Sequence, residues 1–205
     1  EIVPGEILCN GETTTITVNA SGGTTPYTYG LGESQSSLMI SGVIDGPLSG
    51  GTPKAIEFYV INDITDLSAY GFGSANNGGG SDGEEFTFPS ISVTSGSYIT
   101  VSSELSQFSS FFGTSSDYAS SAAGINGDDA IELYEQGVVI DLFGEIDNDG
   151  TGTAWEYEDG WAYRNCETGP DGSIFTEANW SFSGVNGLEG GTDNATATSP
   201  LPVGT

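Results

Sequence analysis

Between Ile131 and Phe143 apolar and polar residues alternate around a Gln136-Gly137 turn, and no other stretch constrains the fold more tightly. Ile131, Leu133, Val139 and Phe143 share one side of that pattern, the period-2 signature of a hairpin with one buried face. The same grammar recurs along the chain. Leu38–Ile44, Ala55–Ile61, Glu85–Phe88 and Tyr98–Val101 read as further short strands, and Asp66–Phe72 as a turn entering another. Glycine, at 32 of 205 residues, separates them with turns. Many short strands divided by turn residues predict an all-β chain, and a two-sheet sandwich rather than a barrel. One helix is expected over Glu104–Phe112. Ser102 or Ser103 would cap it, Leu105, Phe108 and Phe112 would form its buried face, and Gly113 would end it.

Three segments follow from the pattern. Residues 1–36 form a separate β-hairpin piece, too small to fold alone, in which Thr13–Asn19 alternates, Gly22-Gly23 turns and Pro26–Tyr29 resumes an extended path. Residues 37–189 carry the sandwich. Residues 190–205 lose the alternation and read as a Thr/Pro linker or exposed tail.

The charge balance excludes whole classes of partner. Two basic residues, Lys54 and Arg164, face 29 acidic ones, for a net charge of −27. Nucleic-acid backbones are bound by releasing counterions to Lys and Arg, which this chain lacks. Anionic membrane surfaces are excluded for the same reason, and no apolar run reaches the roughly 18 residues of a spanning helix. The acids are instead solvated, or gathered around divalent cations. The start at Glu1, without a leader, reads as a processed or excised piece. Sequons at Asn19, Asn179 and Asn194 matter only in a glycosylating host.

One loop has cation-binding spacing. In Asp147–Glu158, Asp147, Asp149 and Thr151 occupy the first, third and fifth places of a twelve-residue calcium loop, Gly152 the sixth and Glu158 the twelfth. Asp128 and Asp129 offer further carboxylates, or could cap backbone N–H groups or pair with Arg164. The alternative is a polar turn whose Asp and Gly residues serve backbone geometry. Arg164 reads as a structural cation that finds a carboxylate. Lys54 reads the same way, in preference to an amide crosslink with an asparagine. Trp155, Trp161 and Trp180 read as core or lid residues. The rival reading makes Trp155, Tyr157 and Trp161, with Tyr163 beside them, a sugar-stacking surface. With no histidine and no Gly-x-Ser-x-Gly elbow, no nucleophile has its usual base, and no carboxylate pair stands out. The chain is read as non-enzymatic.

Cys9 and Cys166 match no metal-thiolate spacing. In an oxidising compartment they could pair and tie the N-terminal segment to the body; otherwise they are two thiols.

From Leu38 to Leu188 the order of elements resembles the lamin-tail domain, with the bacterial and marine secreted members the nearer comparison. The resemblance is carried by Leu38–Ile44, Lys54–Tyr59, Asp66–Tyr70, Asn126–Ile131, Val139–Gly144, the Trp155 region, Trp161–Arg164 and Asn179–Phe182. It implies an immunoglobulin-like sandwich serving as a non-catalytic module of larger secreted or surface proteins. Upstream, Cys9-Asn10-Gly11, Ile16–Val18 and Gly22–Tyr29 resemble half of a short β-repeat of adhesins from gliding Bacteroidetes. The expected function is a structural or adhesive module, extracellular or at the cell surface, contacting neighbouring modules and stabilised by Ca²⁺. The alternative is a carbohydrate-binding module that targets an appended hydrolase or nuclease to glycans.

Overall fold

The computed structural model describes residues 36–202. Ten strands and one short α-helix make an all-β sandwich: β1 (Leu38–Ile44), β2 (Ala55–Val60), β3 (Tyr70–Ala75), β4 (Phe86–Thr87), β5 (Tyr98–Ser102), α1 (Ser106–Phe112), β6 (Tyr118–Ala119), β7 (Ala130–Glu135), β8 (Val138–Phe143), β9 (Trp161–Arg164) and β10 (Trp180–Phe182). One sheet runs β10-β9-β1-β2-β5-β6 and the other β4-β3-β7-β8. Every pairing is antiparallel except β5 with β6. The expected N-terminal hairpin and Cys9 lie outside the described residues.

Alternation explains the core. Ile56, Phe58 and Val60 of β2 and Ile99 and Val101 of β5 turn inward to meet Phe72, Ile131, Leu133 and Phe143 of the facing sheet. A bulge in β1 between Ile40 and Gly42 shifts the register by one residue, so that Leu38, Ile40 and Val43 all reach the core. Aromatic rings join the layers: Phe58 packs edge-on against Phe88 at 5.3 Å, and Phe143 against Trp180 at 4.7 Å.

The β7–β8 hairpin turns where the sequence placed it. Gln136 and Gly137 both adopt positive φ (51° and 79°), the paired left-handed geometry that matches strand twist in a two-residue turn. Its buried face differs in detail. A register shift at Leu133/Tyr134 leaves Val139 only half-buried near the turn. Val139 now pairs with Tyr134, off the face that Leu133 and Phe143 share, Ile140 packs on the core instead, and Asp141, opposite Leu133, is completely buried.

The helix is shorter than predicted and differently capped. The Glu104 carboxylate, rather than Ser102 or Ser103, accepts the Gln107 and Phe108 N–H groups (2.7 and 3.1 Å). Phe108 and Phe111 are its buried residues, while Leu105 is 49% exposed. Gly113 ends it in the left-handed conformation, as expected.

Residues 190–202 do not form an exposed tail. Ala197 and Leu201 join Leu188, Trp161, Ile44, Ala55, Phe108 and Phe111 in a second apolar cluster. Since Ile44, Ala55 and Trp161 point away from the inter-sheet core, this cluster covers one end of the outer face of the six-stranded sheet. Trp161 Nε1 donates to the Ser199 carbonyl at 2.8 Å, and Asn194 both donates to and accepts from Leu201. The segment lacks strand periodicity because it crosses the sheet as a cover rather than pairing in it.

Candidate functional site

Asp141 sits on the inward face of β8 and Arg164 at the end of β9, on opposite sheets. Arg164 Nη2 donates to both Asp141 oxygens (2.8 and 2.7 Å), its Nε to the Ile40 carbonyl (2.7 Å) and its Nη1 to Asp171 (2.9 Å). Asp141 also accepts the backbone N–H groups of Ile40 and Asp171, each at 2.9 Å. The guanidinium lies 4.4 Å from the Trp180 ring centre. Both side chains of the pair are at most 1% exposed. Burial raises the Asp141 pKa, opposed by Arg164 and the two N–H groups. A cation and a carboxylate so completely enclosed by protein donors, acceptors and an aromatic face form a fastening between sheets, with no surface left for a ligand. The structural reading of Arg164 is therefore correct, but its partners are Asp141 and Asp171 rather than Asp128 or Asp129.

Lys54 makes the second ionic centre. The pairing of Ile44 with Ala55 at the end of β1 and β2 brings the flanking Asp45 and Lys54 together. Lys54 Nζ donates to Asp45 Oδ1 at 2.6 Å, to the Ile125 carbonyl, and to Asn126 Oδ1 at 3.4 Å. Burial raises the Asp45 pKa to about 6 against the opposing pull of Lys54. The centre borders an open cleft of about 360 Å³ that Glu158 and Asp159 also line.

The calcium-loop residues do not assemble as their spacing suggested. Asp147, Asp149, Thr151 and Glu158 are all exposed. Asp149 Oδ1 accepts its own loop's Thr151 N–H at 2.9 Å, a local Asx-turn bond. Thr151 Oγ1 donates to Asp128 (2.9 Å), whereas Glu158 faces the Lys54 cleft. Asp129 is wholly buried and accepts the Asn77 and Asn126 N–H groups at 2.8 Å each, serving as a backbone cap. Asp128 Oδ1 is buried without a hydrogen-bond donor, which would suit a cation. Yet among the described residues no three His, Cys, Asp or Glu side chains come together as a metal-holding group. Asp149 and Glu158, two carboxylates of the twelve-residue set, are thus directed to different partners. The spacing reflects a turn: Gly150 packs so closely on Trp155 that a Cβ would lie 2.6 Å from the indole.

The sugar-stacking surface is also absent where it was placed. Trp155, Tyr157 and Trp161 are 2%, 0% and 8% exposed. Tyr157 OH donates to the Asp129 carbonyl at 3.0 Å, and burial pushes its pKa well up. Tyr163 lies over Gly42 and donates to Glu57 at 3.1 Å on the outer sheet face. The core reading of all three tryptophans holds. Cys166 follows β9, while its candidate partner Cys9 is outside the described residues. The alternation that put Val139 and Phe143 on one face put Asp141 there too, but an acid at an inward position carries no sign of the cation that meets it. Arg164 was the available clue, since a solitary buried arginine needs a buried carboxylate.

No family model matches the chain, and no curated protein or solved structure matches it either. What fold and centres define together is an all-β two-sheet sandwich whose two cations are both held by buried carboxylates.

Proposed function

We propose that this domain is a non-catalytic structural module of a secreted or cell-surface protein, built to hold loops and edges rigidly against neighbouring modules. The observation that carries the reading is the inter-sheet fastening of Arg164, Asp141 and Asp171: one of only two basic residues is spent on joining the layers. The other, Lys54, joins the end of β1 and β2 to the loop before β7. Buried acids elsewhere act alike, Asp129 capping backbone and Glu57 accepting from Ser41 and Tyr163. A catalytic acid needs access to substrate, and these groups are already occupied by the protein. The lamin-tail resemblance agrees with this reading, and in an oxidising setting Cys9 and Cys166 would pair.

Antibodies raised against the domain, applied to intact cells that make the protein, test the proposal. Surface or extracellular labelling is expected; confinement to the cytoplasm would refute it. A glycan array with the native domain tests the carbohydrate alternative, and binding that survives in the Tyr163→Ala variant would place any sugar site away from the outer sheet face.

A further inference from the structure

The Lys54 centre brings an amine, a carboxylate and a carboxamide together. Lys54 is the chain's only lysine, so a nucleophilic amine occurs once in its side chains. Its Nζ is held between the Ile125 carbonyl, Asp45 Oδ1 at 2.6 Å and the Asn126 side-chain amide, whose oxygen is 3.4 Å away. The 3.4 Å contact to the amide oxygen sets the Asn126 carboxamide beside the amine, and attack would close Nζ on Cγ to about 3–3.5 Å.

The frame is rigid. Asp45 and Lys54 flank the last paired residues of β1 and β2, and Asp45 Oδ2 also accepts the Asp159 N–H at 3.2 Å. Asn126 is fixed through its N–H to Asp129. Gly127 presses the loop inward: a Cβ there would sit 2.3 Å from Glu158 Cα and 3.0 Å from Asp45 Oδ2. The Lys54 and Asp45 side chains are 14% and 5% exposed, whereas Asn126 borders the open cleft.

We propose that Lys54 and Asn126 join in an intramolecular amide bond, with Asp45 as the proton-transfer group. Asp45 takes one proton from the Lys54 ammonium, and the freed Nζ lone pair attacks Asn126 Cγ. A second Nζ proton passes through Asp45 to Nδ2, the Cγ–Nδ2 bond breaks, and ammonia leaves through the cleft. Ammonia carries off the remaining proton as ammonium, which returns Asp45 to its ionised form. One Nζ–Cγ bond replaces one Cγ–Nδ2 bond, with no oxidant or cofactor required. Burial supports the role, since it raises the proton affinity of Asp45 toward neutrality. The product ties the start of β2 to the loop before β7 covalently, across 72 residues. It goes beyond the structural reading above and does not depend on where the protein resides.

Intact-mass spectrometry of the purified chain, folded first and then denatured and reduced, tests the proposal. The expected mass is one ammonia below that of the sequence, with a digest yielding a branched peptide that links Lys54 to Asn126. Asp45→Asn and Asn126→Ala are each expected to show their full sequence masses. A folded native chain at full mass would overturn the proposal, as would an ammonia loss mapping to an unlinked asparagine. The native chain alone is decisive if either variant fails to fold.

Discussion

Removing the carboxylate of Asp141 tests the inter-sheet fastening at its centre. In Asp141→Ala, Arg164 Nη2 loses both of its acceptor contacts, and the N–H groups of Ile40 and Asp171 lose theirs. Removing one member of a buried ion pair costs about 3–5 kcal/mol, because the remaining charge stays buried. Arg164 keeps Asp171 at 2.9 Å and the Trp180 face, which moves the cost toward the lower end. The stranded Ile40 N–H adds about 1–3 kcal/mol, partly overlapping with the first cost. A net loss of about 4 kcal/mol follows, against a total stability of roughly 5–15 kcal/mol for an ordinary domain. For a chain of this size that is a fall in Tm of roughly 8–16 °C. Urea unfolding followed by tryptophan fluorescence and circular dichroism measures it, and an unchanged m-value would show that the two states are otherwise preserved. The double variant Asp141→Leu/Arg164→Met should recover part of the loss, since it leaves no buried arginine unpaired, while Asp171 keeps only Asn179 and the Ile40 N–H stays stranded. A loss below about 1 kcal/mol in Asp141→Ala would refute the fastening.

Other consequences are open to simpler assays. Burial lifts the Asp45 pKa from 3.8 to about 6, so the folded state binds this proton more tightly than the unfolded state. Its stabilisation is therefore complete below the unfolded value and is lost as pH rises through about 6, amounting to at most about 3 kcal/mol. The urea midpoint should rise from pH 7.5 to pH 5, helped by relief of repulsion among the acids, and Asp45→Asn should flatten the rise; a midpoint that falls would contradict this. Ending the chain at residue 189 strips Ala197 and Leu201 from Trp161 and Phe111. It should cost at least about 2 kcal/mol for the buried leucine alone, and an unchanged Tm would mean that the segment does not pack. Because the Asp147–Glu158 side chains do not converge, adding calcium or chelator should leave the melting midpoint in place; a clear rise with calcium would show an ion-binding arrangement different from this one.

Strand positions were legible because the two-residue period survives wherever one face is buried, and Gly137 declared the turn, while the positive φ of Gln136 is not one its residue type favours. The β1 bulge was not legible: Ser41-Gly42 interrupts the alternation without announcing which neighbours turn inward. The same limit hid Asp141, whose buried position is stabilised by donors 23 and 101 residues away in sequence. The arrangement of the Asp147–Glu158 side chains was illegible for a related reason. Spacing gives the order of oxygens along a loop but not their direction, and here Asp149 turned back on Thr151 while Glu158 faced Lys54. Residues 190–202 looked like a linker because irregular backbone carries no period, even where two of its side chains are buried.

The indole rings of the acid- and aromatic-rich stretch around Trp155 and Trp161 are packed inside the fold. Acrylamide quenching of native tryptophan fluorescence tests this packing most directly, because Trp155, Trp161 and Trp180 are the chain's only three tryptophans and are 2%, 8% and 5% exposed. Quenching should be weak in the native protein and rise steeply in urea. Native quenching close to that of the unfolded chain would put these rings at the surface and contradict the account.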